Sequence, residues 1–141
     1  MDLIPLIREL VRAYQAFEAF SAAHIRTMGI TPPQFDVIVT LGNQPPMTCK
    51  LLGEKTLITK GTLTGILDRL EEKGLIVRLA NADDARSQKI GLTEAGNSLF
   101  QTVFPSHKAH FKQVAGQFSE TDVIEITSAL KKLRASIEQF N

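Results

Sequence analysis

Hydroxyl and cationic side chains between positions 48 and 87 are the residues of this chain best suited to chemistry, and that chemistry is binding. Threonine hydroxyls and lysine or arginine cations suit phosphate oxygens and base edges, and the free N–H groups in the first turn of a helix also attract phosphate. The apolar residues from Leu63 to Leu70 recur at steps of three and four, so they must face inward and their polar neighbours outward. The alternative is that the threonines only cap helices and meet solvent. The candidate nucleic-acid contacts are Thr48, Lys50, Thr59, Lys60, Thr62, Thr64, Gly65, Arg69, Arg78, Asp84, Arg86 and Ser87.

Arg86 is the candidate for a second kind of contact, because it follows Asp83 and Asp84 in a polar loop at residues 81–87. An arginine at the tip of a hairpin, beside a helix in the major groove, can reach the neighbouring minor groove, where A·T-rich DNA concentrates negative potential. The Asp84 carboxylate is placed to hold the guanidinium in position. The alternative is an arginine that is merely solvated.

Length, charge and cysteine content restrict the class of protein. The 141 residues, 43% of them hydrophobic, suit one globular domain or two closely packed subdomains. The net charge of +1 argues weakly against a protein that coats nucleic acid without sequence preference. No apolar run approaches the roughly 20 residues of a bilayer span, and charges near the start interrupt any signal sequence. We therefore expect a cytoplasmic protein with no membrane partner, and its one cysteine, Cys49, excludes an internal disulfide.

Two short helices joined by a tight turn are predicted to position the candidate contacts. Thr48 is a candidate N-cap for a helix of about two turns, and Thr59 is a candidate N-cap for the helix that carries the apolar run. Residues 56–58 alone separate the two helices, so they must cross steeply, with Leu57 and Ile58 as an apolar anchor at the corner. This pattern predicts a helix-turn-helix.

A small hairpin is predicted to follow. Gly74 is a stop signal for the second helix, and residues 75–77 are too few and too β-branched for another one. Residues 88–92 alternate polar with small or apolar side chains, so the two runs can pair around the loop at residues 81–87. That loop is the tip of a wing.

Long amphipathic helices flank this segment. One covers residues 3–28, and a shorter helix capped by Thr31 follows it. A third begins at Thr93 and should be bent or split by Pro105. Ser119 starts a last helix as the first half of a capping box with Asp122, and its apolar seam suggests pairing between two chains, the alternative being an internal core. The seam residues are Val123, Ile126, Leu130, Leu133, Ile137 and Phe140.

Three runs together resemble the MarR family of bacterial winged-helix transcription regulators: LDRLEEKGLIVR at 67–78, DARS at 84–87 and LTEAG at 92–96. The resemblance implies a mainly α fold with a small β-hairpin wing, in which a winged helix-turn-helix DNA-binding domain (31–93) joins a helical dimerisation region (1–30 and 94–141). It also implies that Arg86 enters the minor groove with Asp84 as its orienting partner, and that residues 59–65 read bases. The chain departs from the family at Gly65, where many members have arginine, and in the wing at positions 81–82 and 85.

The resemblance further implies a small, often aromatic, ligand bound between the dimer helices and the DNA-binding lobe. Candidate lining residues are Tyr14, Phe17, His24 and Phe35, and the alternative is ordinary core packing.

Metal and redox chemistry find little support in the sequence. His107 and His110 share a helix face, but no cysteine or carboxylate set accompanies them, so we expect no metal and no other cofactor. Redox-sensing members of the family carry a reactive cysteine in the first helix. Here Cys49 lies beside the helix-turn-helix instead, and we expect it to be a small buried filler. The alternative is a thiol with some thiolate character, favoured by a helix start and by Lys50.

The function predicted from the sequence is a transcription regulator, a repressor, that binds a pseudo-palindromic operator in double-stranded DNA as a homodimer and is released by a small ligand. One alternative is a winged-helix module that binds protein and not DNA. The other is an enzyme, but the sequence contains no glycine-rich phosphate loop with lysine, no His-Glu-x-x-His, no Gly-x-Ser-x-Gly and no cysteine pair. We therefore predict that the chain is not an enzyme.

Overall fold

The computed structural model describes residues 1–56 and 58–141, and within them it contains six helices and three short strands. The chain divides into two units, Met1–His107 and Lys108–Asn141. In chain order the elements are α1 (Ile4–Thr27), α2 (Pro32–Leu41), β1 (Met47–Thr48), α3 (Cys49–Lys55), α4 (Lys60–Glu72), β2 (Ile76–Ala80), β3 (Gln88–Leu92), α5 (Glu94–Ala115) and α6 (Glu120–Glu138).

The first two helices begin and end at the residues that local chemistry predicts. Pro5 lies in the first turn of α1, where a missing N–H costs nothing, and Gly29 follows the helix with a φ of 79° that favours glycine. At the start of α2 the Gln34 N–H donates to the Thr31 hydroxyl, and the Thr31 N–H donates to the Gln34 side-chain oxygen. This reciprocal capping box confirms Thr31 as the cap.

The helix-turn-helix consists of α3 and α4. The Leu51 N–H donates to the Thr48 hydroxyl at 3.2 Å, which confirms the predicted cap of α3. Thr59 occupies the N-cap position of α4, but its hydroxyl donates to the Thr62 hydroxyl instead of accepting a backbone N–H, so this prediction was right in position and wrong in the bond. Ile58 is partly buried against the core, whereas Leu57, the other predicted anchor, lies outside the described residues.

The wing is part of a three-stranded antiparallel sheet in the order β1-β3-β2. The predicted hairpin is present, with Ile76 opposite Leu92 and Ala80 opposite Gln88. The sequence did not predict β1, whose Met47 pairs with Ile90, because two residues are too few to show any alternation. The extra strand ties the start of α3 to the wing.

A hydrophobic core within the first unit holds these elements together. The side chains facing it from α2, α3, α4 and the sheet are almost completely excluded from solvent, and Phe100 and Val103 of α5 join them. A Cβ at Gly42 would overlap the ring of Phe100, so only glycine permits this approach. The largest fully buried side chains are Ile38, Leu52, Leu63, Leu67, Leu70, Ile76, Ile90, Val37 and Val103.

Helix α5 is continuous through Pro105, so of the two predicted outcomes the split was wrong, and the bend stays a prediction. Proline removes one backbone N–H donor from a helix interior, but a helix of 22 residues keeps its bonds on both sides of that position. The hydrogen bonds on both sides therefore keep α5 in one piece despite Pro105.

The second unit contains α6, which begins with the predicted capping box of Ser119 and Asp122. The backbone N–H and side chain of Ser119 hydrogen-bond this carboxylate and hold the pKa of Asp122 below its ordinary value. No residue of α6 is buried. The predicted seam residues Val123, Ile126, Leu130, Ile137 and Phe140 are exposed, and Leu133 is partly exposed.

Within the described part of the chain, none of the helices has the length and the apolar character that crossing a bilayer would need.

Candidate nucleic-acid interface

The outer face of α4 is polar and exposed, whereas its inner face is buried. Leu63 and Leu70 are 0% exposed and Leu67 is 1% exposed, so the helix cannot rotate without exposing them. A Cβ at Gly65 would meet no atom within 4 Å, so this position leaves open space on the outer face. The predicted contacts on the exposed side are Thr59, Lys60, Thr62, Thr64, Gly65 and Arg69.

Helix α3 contributes less to this surface. Thr48 is partly buried and its hydroxyl is engaged in capping, so its first role is structural. Lys50 is exposed in the first turn of the same helix. Cys49 is partly buried and packs against the core, as expected for a small filler.

The wing tip is a closed polar loop. The Asn81 side chain donates to the Ser87 hydroxyl at 2.9 Å, and the Ser87 N–H donates to the Asp84 carbonyl oxygen at 3.2 Å. The Arg86 N–H donates to the Asp84 carboxylate at 2.9 Å. Asp84 and Ser87 therefore shape the loop from within.

The Arg86 side chain extends from this loop into solvent, with 94% of it exposed. Its Nε lies 3.6 Å from the Asp84 carboxylate oxygen, the geometry expected if Asp84 orients the guanidinium. Exposed ion pairs of this kind contribute only about 0–1 kcal/mol to folding stability. The arrangement is better suited to presenting a cation than to stabilising the fold.

Arg78 does not share this exposure. It lies on β2, its side chain is 20% exposed, and its two terminal nitrogens donate to Asp68 at 2.8 Å and to Glu71 at 2.7 Å. Partial burial by itself would lower the pKa of Arg78, but the hydrogen bonds and charges of the two carboxylates outweigh it and raise the pKa above the usual arginine value. The sequence grouped Arg78 with the DNA contacts, whereas the structure places its guanidinium on two carboxylates of α4.

The base of the wing is joined to α5 through Thr93. Its hydroxyl donates to the Gly74 carbonyl oxygen at 2.6 Å and accepts from the Gly96 N–H at 3.1 Å, and its own N–H donates to the Leu75 carbonyl oxygen. A Cβ at Gly96 would overlap that same Leu75 carbonyl. The end of α4, the start of β2 and the start of α5 therefore meet at one packed junction.

Comparison with known proteins places this arrangement in a family. The sequence model of the MarR family matches residues 30–88. Over 94% of its length the chain is 31% identical to the HTH-type transcriptional regulator MhqR of Bacillus subtilis (strain 168), of which it covers 91%. The chain belongs to the MarR family.

Other MarR-family proteins resemble it over similar lengths. The homoprotocatechuate degradative operon repressor of Escherichia coli is 27% identical, over 89% of this chain and 85% of that protein. The crystal structure of a mutant MarR from E. coli complexed with operator DNA has a TM-score of 0.82 at 25% identity, over 93% of this chain and 94% of that chain. The predicted winged-helix fold and the function of a DNA-binding transcription regulator are thereby confirmed.

The four residues predicted to line a ligand pocket of this MarR-family chain fall into two groups. His24 and Phe35 lie against His107: the Nδ1 atoms of the two histidines are 2.9 Å apart, and the centroids of the Phe35 and His107 rings are 4.7 Å apart. Tyr14 and Phe17 face each other on an exposed part of α1, with ring centroids 6.4 Å apart. Ten residues of helix, about 15 Å, separate Tyr14 from His24.

His107 is the residue that sequence reasoning about this site missed. It was considered only as a metal ligand beside His110, yet its ring is buried and its Nε2 lies 3.0 Å from the Ser21 hydroxyl. Among residues 1–56 and 58–141, no group of three or more potential metal ligands occurs. The sequence showed only that Ser21 and His24, three residues apart, share one face of a helix. It did not indicate that both contact His107.

Proposed function

We propose that this MarR-family chain is a homodimeric repressor that places α4 in the major groove of a pseudo-palindromic operator and Arg86 in the adjacent minor groove. The observation that carries the proposal is the pairing of an exposed polar helix face, backed by a buried apolar one, with a 94% exposed arginine on the neighbouring wing. The complex of the E. coli MarR mutant with operator DNA supports it.

Within this proposal the side chains divide by role. Lys50, Lys60 and Arg69 bind phosphates, which carry no sequence information, while the threonines at 62 and 64 approach base edges. Arg86 reads the width and potential of the minor groove. Asp84 and Ser87 act on DNA only through the shape of the loop that presents Arg86.

Dimerisation is proposed to use residues 1–30 and 94–141, leaving residues 31–93 for DNA. Two observations support this division: most of the large apolar residues in the first half of α1 are exposed, as are those of α6 except the partly exposed Leu133. Exposed apolar stripes of this length mark protein interfaces. A twofold dimer presents two α4 helices to half-sites about one helical turn, roughly 34–36 Å, apart. The exposed stripe residues of α1 include Leu3, Ile4, Ile7, Val11, Tyr14 and Phe17.

A small aromatic molecule is proposed as the releasing ligand. The partly buried His24 and Phe35, with the buried His107, form an aromatic group that also carries hydrogen-bonding nitrogens. Tyr14 and Phe17 would join such a site only from a neighbouring region of α1. We assign the protein no cofactor and no catalytic activity, and we place it in the cytoplasm with its DNA.

Selection of genomic fragments by the purified protein tests the central proposal. We expect enrichment of a palindromic sequence with half-sites about one helical turn apart, and affinity that falls steeply as salt rises, because phosphate contacts release counterions. Recovery of fragments with no shared sequence would overturn sequence-specific binding. Failure to bind any duplex at low salt would favour a protein-binding winged-helix module.

A further inference from the structure

Arg78 of β2 forms two short ion pairs with α4, and its side chain is more buried than either of its partners. Arg78 Nη1 donates to Glu71 at 2.7 Å, and Arg78 Nη2 donates to Asp68 at 2.8 Å. The carboxylates keep 57% and 46% of their side-chain surface, for Asp68 and Glu71 respectively, but the arginine between them keeps 20%. The cation is covered and the anions face solvent.

The spacing of the two carboxylates gives this contact its geometric effect. Asp68 and Glu71 lie three residues apart on one face of α4, so the planar guanidinium bridges side chains about one turn apart. A bond to a single carboxylate would leave the guanidinium free to rotate about it. The buried leucines already fix the rotation of α4 about its axis, and bonds to two of its carboxylates add a constraint on the direction in which β2 leaves it.

The strand that Arg78 holds leads directly to the wing. Arg78 pairs with Ile90 across the sheet, in the middle of the hairpin whose tip carries Arg86. The turn at Gly74 connects α4 to β2 through a φ of 73° and offers one covalent path between helix and wing. The guanidinium bridge is a further, non-covalent path, nearer to the tip than the junction at Thr93.

We propose that Arg78 is a positioning residue that sets the distance and angle between α4 and the wing, so that α4 and Arg86 reach neighbouring grooves at the same time. This inference rests on the proposed function, since it presupposes that α4 and Arg86 both contact DNA. It replaces the role of a direct DNA contact that the sequence suggested for Arg78. The two carboxylates are part of the device, although carboxylates near DNA would otherwise oppose binding.

A double-mutant cycle with Arg86 tests the proposal. The variant Arg78→Gln with Glu71→Gln removes one positive and one negative charge, so the net charge is unchanged and the affinity for DNA reports geometry. We expect it to weaken operator binding about tenfold in the wild-type background and about twofold or less in an Arg86→Ala background, because a displaced wing matters only while Arg86 is present. Equal losses in both backgrounds, or no loss in either, would overturn the proposal.

A second pair of substitutions, at the two carboxylates, separates a positioning role of Arg78 from a direct contact with DNA. Asp68→Asn with Glu71→Gln removes two negative charges and leaves Arg78 in place. If Arg78 bound phosphate, freeing it would tighten binding to operator and scrambled duplex alike and leave the ratio of the two affinities unchanged. The proposal predicts that this ratio falls about fivefold or more, since α4 and the wing lose their common alignment while nonspecific attraction remains. A ratio that is unchanged or that rises would overturn it.

Two controls complete the design. Arg69→Gln, at an exposed arginine of α4, should lose affinity by the same factor with and without Arg86→Ala, because an independent phosphate contact is additive. Thermal unfolding and the oligomeric state of the full chain establish that each variant is folded. If the variant with Arg78→Gln does not fold, the variant Asp68→Asn with Glu71→Gln, which changes only exposed carboxylates, still tests the proposal. Absence of wild-type operator binding would overturn the proposed function together with this inference, whereas wild-type binding with an additive cycle would overturn the inference alone.

Discussion

Helix α4 and the wing tip are held in place by different forces. The helix buries Leu63, Leu67 and Leu70 almost completely and shows several polar side chains on its other face. Residues 82–86 of the wing are all exposed, and the tip is closed by hydrogen bonds among its own polar groups. The buried leucines keep the outer face of α4 in place, and several residues of that face share the proposed DNA contacts. The wing tip is held by polar bonds, and its proposed DNA contact depends on one residue, Arg86.

The largest effect is expected inside the helix. Leu67→Ala would leave a cavity beneath α4 and lower the free energy of unfolding by about 2–5 kcal/mol. Urea denaturation at fixed protein concentration measures it, since a dimer's stability depends on concentration. Thr64→Ala on the outer face is the control and should change stability by no more than about 0.5 kcal/mol. Similar losses for both variants would remove the distinction between the two faces.

Arg86→Ala comes next and concerns the wing. We expect operator affinity to fall by about 1–3 kcal/mol, roughly 10–100-fold, because the minor-groove contact is concentrated in this side chain. Stability should be unchanged, since the side chain is 94% exposed. Titration of a labelled operator measures the change. Arg26→Ala, at an exposed arginine of α1, is the matched control, and an equal loss there would show that total charge alone accounts for binding.

A single phosphate contact on α4 should matter less than the wing arginine. Lys60→Ala is expected to weaken binding to operator and scrambled duplex alike and to reduce the slope of log affinity against log salt by about one. The exposed Glu72→Gln at the other end of the helix provides a control in which that slope should not fall. A larger loss for Lys60 than for Arg86 would reverse the comparison between shared and concentrated contacts.

Gly65→Arg would sharpen the comparison from the opposite direction. An added Cβ meets no atom within 4 Å, and replacing glycine in a helix interior stabilises by up to about 1 kcal/mol. We expect tighter DNA binding at low salt, because the added cation would lie on the outer face of α4, among the residues proposed to contact DNA. Gly65→Gln tests stability without the charge. Weaker operator binding by the arginine variant would mean that this face lies too close to DNA for a long side chain.

The smallest effect is expected at the start of α6, where polar bonds again hold the backbone. Because the folded pKa of Asp122 lies below its ordinary value of 3.8, its contribution is fully present above about pH 3.8 and is lost as pH falls through the lower folded pKa. Titration of the Asp122 carboxyl by NMR measures the shift. Stability measured between pH 5 and the acid limit should fall slightly less in Asp122→Asn than in the wild type.

Local chemistry explains which elements the sequence could predict. Thr31 and Ser119 cap their helices in the predicted way, and Gly74 ends α4 at a positive φ, because each of these signals depends on residues a few positions away. The orientation of α4 follows as well, since Leu63 and Leu70 fix its buried face. Spacing along the chain was sufficient information in each case.

Contacts between distant residues could not be predicted in the same way. Strand β1 forms only because Ile90 lies opposite Met47, more than forty positions away. His107 reaches Ser21 and His24 across 86 and 83 positions, and no periodicity links them. Arg78 was grouped with DNA contacts by residue type, and its partners on α4 became apparent only from the fold.

The exposure of Arg86 also bears on proteolysis. Trypsin cleaves after arginine and prefers exposed loop tips, so the Arg86–Ser87 bond is a natural site for a first cut. Strands β2 and β3 on either side remain paired along five positions, so the nicked chain would hold together while the tip opens. A duplex seated over the wing would cover this bond. The rate of cleavage at Arg86 is therefore a label-free measure of how often the wing is occupied.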